Sequence, residues 1–342
     1  MEHAVRVIHR VCCLAGSTAL IDDIHAENRG LRTAIRRHDT PALFDWLIDA
    51  LSYQGISDQV TYGYIAQHGQ ATWRLIEAGL SDYSGCPKLG SYWRFHDCRF
   101  EKGTRTCAEP DHIGRCPLPR HDLRNGRLNQ TAYALYLFVR DIADGDLVGW
   151  IEGQIEAADN GPGTDRLAQM RAALIEPLRH VYGVSDKILS MALSVLMLGA
   201  ADPRWVEVGG SMIAIDTLVH NFLHRTGILR RFEADHAYGL GCYRPGGCAD
   251  VVRAVADQID ARRFNPAFPA TFPRFVQHAI WRYCAQLWLN VCNGNRINDS
   301  QSCDNHYCAI RGICERVPLN PPILGSVKSR PIMTPFNSEV SH

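Results

Sequence analysis

Long hydrophobic runs are missing from this chain of 342 residues. No stretch of 18 apolar residues occurs, so the sequence predicts no membrane-spanning helix and no membrane partner. The N-terminal run around Cys12 and Cys13 is too short and too interrupted by charge to indicate a signal peptide. These absences favour an intracellular protein.

An excess of charge of either sign is also missing. Lysine and arginine together number 36, and aspartate and glutamate together number 36. The chain therefore lacks the basic surplus of many nucleic-acid-binding proteins, and any contact with phosphate must come from local groups. The best local candidate is the loop-like run that contains Arg120, Arg124 and Arg127.

Alternating strand patterns are scarce, and helical periodicity dominates instead. Leu43, Phe44, Leu47 and Ile48 share one face of a predicted helix over 41–51, which Thr40-Pro41 starts well. The same period predicts further helices at about 57–68, 70–79, 128–143, 146–157, 165–180, 185–198, 216–227, 248–260 and 271–290. The predicted fold class is mostly α.

The thirteen cysteines fall mainly into two groups, which in a chain of this length favours metal binding over disulfides. The first group lies in residues 84–122, which have no helical period and no close Cys-x2-Cys pair. Such a segment cannot bury enough apolar surface to order itself. We therefore predict a metal-stapled insertion, holding zinc or an iron–sulfur cluster. Its ligands would be Cys86, Cys98, Cys107 and Cys116.

The second group of cysteines lies near the C-terminus. It consists of Cys292, Cys303, Cys308 and Cys314. Four soft ligands suit an iron–sulfur cluster or zinc, and free thiols are the third interpretation. Cys242 and Cys248 stand in a segment rich in glycine and proline, and the sequence gives them no role.

Two segments in the middle of the chain combine a glycine turn, a lysine and a carboxylate. The turn Gly183, Val184 and Ser185 precedes Lys187, and residues 211–215 deliver Asp216 onto the start of another helix. A turn at a helix N-terminus offers backbone N–H groups to an anion. Simpler interpretations stay open: Asp216 as an ordinary N-cap, Lys187 as an exposed helix lysine, and the turn as an ordinary connection.

These segments resemble the helix-hairpin-helix (HhH-GPD) DNA glycosylase superfamily, which includes endonuclease III. Residues 183–187 are similar to its Gly-Val-Gly-Arg-Lys hairpin, and residues 215–226 to its Val-Asp-Thr-His-Val…Arg-Thr segment. Residues 51–58 look like its Leu-Ser-Gln-Gln-x-x-Asp helix end, and the C-terminal cysteines like its iron–sulfur loop. The four landmarks occur in the family's order.

The chain departs from that family at three places. Ser185 stands where the hairpin usually has its second glycine. This difference affects how closely the turn can contact a phosphate. Lys187 and Asp216 are 29 positions apart in the sequence, further than in endonuclease III. This difference affects how the two side chains lie relative to each other. The C-terminal cysteines have ten, four and five residues between them, and the first two gaps are wider than the family's, which concerns cluster binding.

The resemblance implies a two-lobed helical fold with DNA across the cleft. Residues 41–210 would form a six-helix bundle that carries the hairpin, with 84–122 as an insertion. Residues 1–40 and 211–315 would form the second lobe with the iron–sulfur loop, and 316–342 an extended tail.

The resemblance also implies a DNA glycosylase with AP-lyase activity in base excision repair, acting as a monomer in the cytoplasm or nucleoid. It would flip a damaged or modified base out of double-stranded DNA. Lys187 would be the nucleophile, and Asp216 would stabilise positive charge on the sugar. Gln54 would fill the gap left by the flipped base. The Gly183–Ser185 turn would bind phosphate, and the C-terminal cysteines would hold a [4Fe–4S] cluster.

Two alternatives stay open at this point. A monofunctional glycosylase would use Asp216 to activate water and would not need the lysine. A non-catalytic, metal-stabilised DNA-binding protein would use the same fold without chemistry. The excised base is not readable from the sequence.

Overall fold

The computed structural model describes residues 1–52, 58–81, 86–96, 98, 100–101, 106–107, 118, 127–163, 165–181 and 183–320. Within these ranges the chain is mostly helical, which confirms the predicted fold class. The helices are α1 (Glu2–Leu14), α2 (Leu20–Glu27), α3 (Leu31–Arg36), α4 (Thr40–Ser52), α5 (Asp58–His68), α6 (Trp73–Ser81), α7 (Tyr92–Phe95), α8 (Arg127–Asp141), α9 (Leu147–Ala158), α10 (Arg166–Arg179), α11 (Asp186–Leu198), α12 (Pro203–Ser211), α13 (Thr217–Arg225), α14 (Ile228–Arg231), α15 (Cys248–Ala256) and α16 (Pro273–Cys284).

The described part of the Cys-rich segment contains short regular elements that the sequence did not predict. Helix α7 lies there, and strands β1 (Phe100–Glu101) and β2 (Thr106–Cys107) pair antiparallel, with Phe100 opposite Cys107. Elements this short leave no periodic signal, because two residues of a strand cannot establish an alternation.

The long periodic segments form helices close to their predicted bounds. The last of them is shorter than predicted, because α16 ends at Cys284 and Ala285 adopts an extended conformation. The apolar run Leu287-Trp288-Leu289 misled the prediction, since these side chains are exposed in the loop that follows. Helix α12 was not predicted, although Asp202 caps it by accepting hydrogen bonds from the N–H groups of Arg204 and Trp205.

One hydrophobic core gathers residues between Leu31 and Met212. Helix α4 buries the apolar face that its periodicity predicts, with Leu43, Phe44 and Ile48 fully enclosed. Full burial of each such side chain stabilises the fold by roughly 1.5–3 kcal/mol.

A second core joins the N-terminal helices to the last third of the chain. Helix α16 lies at its centre, with Phe275, Ile280 and Tyr283 almost completely buried, and α1, α13 and α15 pack around it. The assignment of these parts to two lobes stays a prediction.

No single helix in the described ranges combines the length and the apolar character that a membrane crossing requires. Only Glu2–Leu14 and Ser17–Glu27 taken together, with an angle of 80° between them, meet that requirement. Val7, Ile8 and Val11 of this pair are buried in the second core.

Helix α12 folds back along α11 and accounts for much of the sequence between Lys187 and Asp216. The Ser194 hydroxyl donates to the Gly209 carbonyl at 2.8 Å. A Cβ atom at Gly209 would lie 2.7 Å from Cβ of Met197, so only glycine permits this approach. The buried residues 212–215 then lead the chain to Asp216.

Candidate functional site: a lysine, an aspartate and two groups of metal-binding residues

A tight turn joins α10 to α11. Gly183 adopts a left-handed φ of +78°, which glycine accepts without strain. Ser185 has an extended backbone with φ −111°, which any residue can adopt, so serine at this position does not disturb the turn. The Ser185 side chain makes no cap hydrogen bond, so it leaves the first N–H groups of α11 to another acceptor.

Lys187 and Asp216 are brought within electrostatic reach of each other. Both side chains are half-buried, Lys187 in the first turn of α11 and Asp216 as the N-cap of α13. Burial raises the pKa of Asp216, while its hydrogen bond from the Val219 N–H, at 2.9 Å, and the charge of Lys187 act in the opposite direction. Asp216 is therefore a helix cap whose carboxylate interacts electrostatically with Lys187 without forming an ion pair with it.

Other polar groups surround Asp216. Burial raises the pKa of Tyr238, and the negative charge of Asp216 adds to that rise. Arg274 is buried, which lowers its pKa to about 10, and Asp216 attracts its charge. The hydroxyl of Tyr243 accepts from the N–H of Ile215 at 2.7 Å and so fixes the backbone immediately before the aspartate.

A cavity of about 270 Å³ lies beside the start of α11. Asp186 and Tyr243 line it together with Arg171, Arg179 and Arg253. Burial lowers the pKa of Arg171 to about 10, and the like charge of Arg253 adds to this effect. The charges around this cavity are partly balanced: Arg179 pairs with Asp186 and Glu176, and Arg253 pairs with Asp250, whereas Arg171 donates to the Ser211 hydroxyl at 3.3 Å.

The four C-terminal cysteines share one space. Cys292, Cys303, Cys308 and Cys314 line a single cavity, and the Tyr283 hydroxyl lies 3.3 Å from Sγ of Cys308. Among the described residues, these sulfur atoms do not form a group lying within 4.8 Å of one another, as the ligands of a single ion do. The four cysteines therefore surround one cavity without the close ligand packing of a single-ion site.

Arg225 connects α13 to this cysteine loop. Its side chain is buried, pairs with Asp299 and points a guanidinium nitrogen at Sγ of Cys292, 3.9 Å away. Its carbonyl accepts from the N–H of Val317 at 2.8 Å. The loop is thereby held against the helix that Asp216 caps.

The sequence pattern did not reveal a second group of candidate metal ligands. His220, His236, Cys242 and Cys248 place one ligand atom each within 4.8 Å of one another, and this group could bind a metal ion. Nδ1 of His220 lies 3.3 Å from Sγ of Cys248 and 3.6 Å from Sγ of Cys242, and Nε2 of His236 lies 3.4 Å from Sγ of Cys248. The regular spacing His236-x5-Cys242-x5-Cys248 was the available signal.

Several predicted site residues lie outside the described residues. These are Gln54, Arg120, Arg124 and Cys116. Arg127 starts α8, but its side chain is also outside the described part. In the Cys-rich segment, Cys86 and Cys98 pack against the first core and Cys107 is buried in β2. Because Cys116 is needed to complete that site, metal binding there stays a prediction.

Comparison with known proteins identifies no protein similar to this chain. No protein-family model, curated protein or solved structure matches the chain.

Proposed function

We propose that the chain is a DNA glycosylase with AP-lyase activity, of helix-hairpin-helix type, which removes a damaged or modified base from double-stranded DNA. The observation that carries this proposal is the convergence of Lys187 and Asp216 at the turn that starts α11. The two side chains come from separate helices and both keep part of their surface exposed, where a flipped nucleotide would approach them.

The hairpin supplies the contact to the DNA backbone in this proposal. In this proposal the first N–H groups of α11 donate to a phosphate, which the partial positive charge of the helix N-terminus favours. Arg171 lines the cavity beside the same helix and is hydrogen-bonded to a serine, not to a carboxylate, so it adds positive charge. Local contacts of this kind explain how a chain without net positive charge can bind DNA.

The chemistry divides between the two side chains. The amine of Lys187 first gives up its proton to water and then attacks C1′ of the nucleotide; the bond from C1′ to the base breaks, and its electron pair leaves with the base, which takes up a proton. The carboxylate of Asp216 stabilises the positive charge that develops on the sugar during this step. The aminal that results loses its N–H proton and opens the sugar ring: the C1′–O4′ bond breaks, O4′ takes up a proton, and a Schiff base forms. The Schiff base loses a C2′ proton, and the 3′ phosphate departs with the electron pair of its bond to C3′.

The four C-terminal cysteines fit an iron–sulfur cluster. They supply four soft ligands around one cavity, which is the ligand type and number of a [4Fe–4S] cluster. Cys292, Cys303, Cys308 and Cys314 would each bind one iron of a [4Fe–4S] cluster. Arg225 holds this loop next to the last turn of α13, so the cluster would lie at the end of the helix opposite to Asp216, about 13 Å along its axis.

The test is a panel of duplexes that each carry one damaged or modified base, incubated with wild type and with Asp216→Asn. Alkali treatment reveals base loss by cleaving the strand at every abasic site. We expect wild type to release at least one base and Asp216→Asn to do so far more slowly. Equal release by both proteins contradicts the role of Asp216, and intact DNA throughout contradicts the proposed activity.

The lyase step is tested separately with Lys187→Gln on duplexes that contain an abasic site. We expect wild type to cleave the strand without alkali, and Lys187→Gln to need alkali. If Lys187→Gln cleaves as fast as wild type, the lysine is not the nucleophile. Strand cleavage that needs alkali even with wild type identifies the monofunctional mechanism in which Asp216 activates water.

A further inference from the structure

The segment between α14 and α15 is held close to α13 although it has almost no regular structure. Apart from a 3-10 turn at Leu240–Tyr243, residues 232–247 form no helix or strand. A Cβ atom at Gly241 would lie 2.9 Å from the ring of His236, so the segment wraps tightly around that histidine. Ordered loops of this length without regular structure are uncommon and usually serve a function.

The group His220, His236, Cys242 and Cys248 has the dimensions of a zinc site. With Zn–S of about 2.3 Å and Zn–N of about 2.0–2.1 Å, a tetrahedron places nitrogen and sulfur ligands about 3.6 Å apart. The three nitrogen–sulfur separations in the group lie between 3.3 and 3.6 Å. Two imidazoles and two thiolates form a frequent ligand set of structural zinc.

The surroundings of the ligands prepare them for a metal ion. Nδ1 of His236 donates to the Ala234 carbonyl at 2.6 Å, which leaves Nε2 with a free electron pair facing the sulfur atoms. Cys248 is the first residue of α15 and Cys242 belongs to the preceding 3-10 turn, so the fold fixes the positions of both sulfur atoms. His220, Cys242 and Cys248 are buried, so an ion bound here is shielded from water.

We propose that His220, His236, Cys242 and Cys248 bind one zinc ion, which holds the segment 236–248 against α13 and places Tyr238 at the site of Asp216. Zinc binding stands independently of the proposed glycosylase activity. The role of Tyr238 in binding a base rests on that activity.

Tyr238 is the residue that connects the zinc site to Asp216. It lies between two ligands in the sequence, and its ring centroid is 5.7 Å from that of the ligand His220. His220 is one helical turn after Asp216, whose carbonyl accepts from the His220 N–H at 3.0 Å. The Tyr238 side chain stays 43% exposed, so an extruded base can stack on it beside the aspartate.

The first test measures zinc and iron in the purified full-length chain by mass spectrometry. We expect Cys242→Ser and Cys248→Ser each to contain one zinc ion fewer per chain than wild type and the same amount of iron. Cys13→Ser, which changes an exposed cysteine in α1, should match wild type in both metals. Wild type that binds no zinc even after incubation with zinc sulfate overturns the proposal, as does an unchanged zinc content in both ligand variants.

The second test uses hydrogen exchange, which does not depend on catalysis or on a variant. Removal of zinc from wild type with a chelator should speed amide exchange in residues 233–248 and in the first turn of α13. Adding zinc back should restore the slow exchange. Exchange that does not change with zinc contradicts the role of the ion in holding the segment.

The third test concerns Tyr238. In Tyr238→Ala, kcat/KM on the best substrate should fall roughly tenfold or more, since one base–aromatic stacking contact is lost. Tyr238→Phe, which keeps the ring, should act like wild type, and both variants should keep their zinc. Equal activity of Tyr238→Ala and wild type overturns the base-binding role. If wild type itself has no glycosylase activity, the proposed function and the role of Tyr238 fail together, while the zinc and exchange results still decide the site.

Discussion

Replacing Asp216 with asparagine separates the two roles that the structure gives this residue. As the N-cap of α13, Asp216 accepts a hydrogen bond from the Val219 N–H at 2.9 Å. Asparagine caps helices about as well as aspartate, so Asp216→Asn keeps this contribution, whereas Asp216→Ala loses about 1 kcal/mol of folding stability. Only the negative charge is removed in Asp216→Asn.

Removing that charge should not destabilise the fold. Burial raises the pKa of Asp216 in the folded chain, so folding favours the protonated form. The stabilisation that belongs to this form is present at low pH and is lost as the pH rises through the folded-state pKa. At neutral pH we therefore expect Asp216→Asn to be at least as stable as wild type in thermal unfolding.

The activity of Asp216→Asn should nevertheless fall by about 10²–10³ in the rate of base release, because the charge on the sugar loses its counter-charge. The assay is single-turnover base release from the best lesion in the panel. Asp202 supplies a matched control, because it also caps a helix but is exposed. Asp202→Asn should keep full activity. Wild-type rates in Asp216→Asn, or an equal loss in Asp202→Asn, would refute the reasoning.

Four further predictions concern the cysteine loop, Arg225, Gly209 and the pH dependence of the activity. Cys314→Ser should lose iron and visible absorbance while keeping zinc, as elemental analysis would measure. Arg225→Met should lower the free energy of unfolding by about 1–3 kcal/mol, since Asp299 loses its partner, and denaturant titration checks this. Gly209→Ala should cost about 1–3 kcal/mol, because its Cβ would lie 2.7 Å from Met197, whereas exposed Gly153→Ala should not destabilise. The acid limb of kcat/KM should lie above the ordinary aspartate pKa of about 3.9, since the raised pKa of Asp216 keeps it protonated to higher pH.

The helices with long apolar periods could be predicted from the sequence because burial of one face repeats every turn. The buried face of α4, with Leu43, Phe44 and Ile48, is the clearest case. The end of α16 could not be predicted, because exposed Leu287 and Leu289 continue its apolar pattern beyond the turn at Ala285. A local sequence pattern does not show where a helix stops packing against the rest of the fold.

The candidate site also combines features that the sequence predicts with features that only the fold creates. Lys187 and Asp216 stand in recognisable local patterns, a glycine turn before a helix and an acid at a helix start. Their proximity depends on α12 folding back along α11, which no local pattern contains. The proposed zinc site combines His220 of α13 with a loop that follows it, so its signal is spread over residues that only the fold brings together.

The most direct test of the proposed chemistry is covalent trapping of the lysine. Wild type is incubated with a duplex containing an abasic site in the presence of borohydride, and the cross-linked peptide is sequenced by mass spectrometry. The chain contains four lysines, Lys88, Lys102, Lys187 and Lys328, so the assignment is unambiguous. We predict an adduct on Lys187 that disappears in Lys187→Gln and persists in the control Lys88→Gln. An adduct on another residue, or no adduct with wild type, would contradict the proposal that Lys187 and Asp216 form the catalytic pair of a glycosylase-lyase.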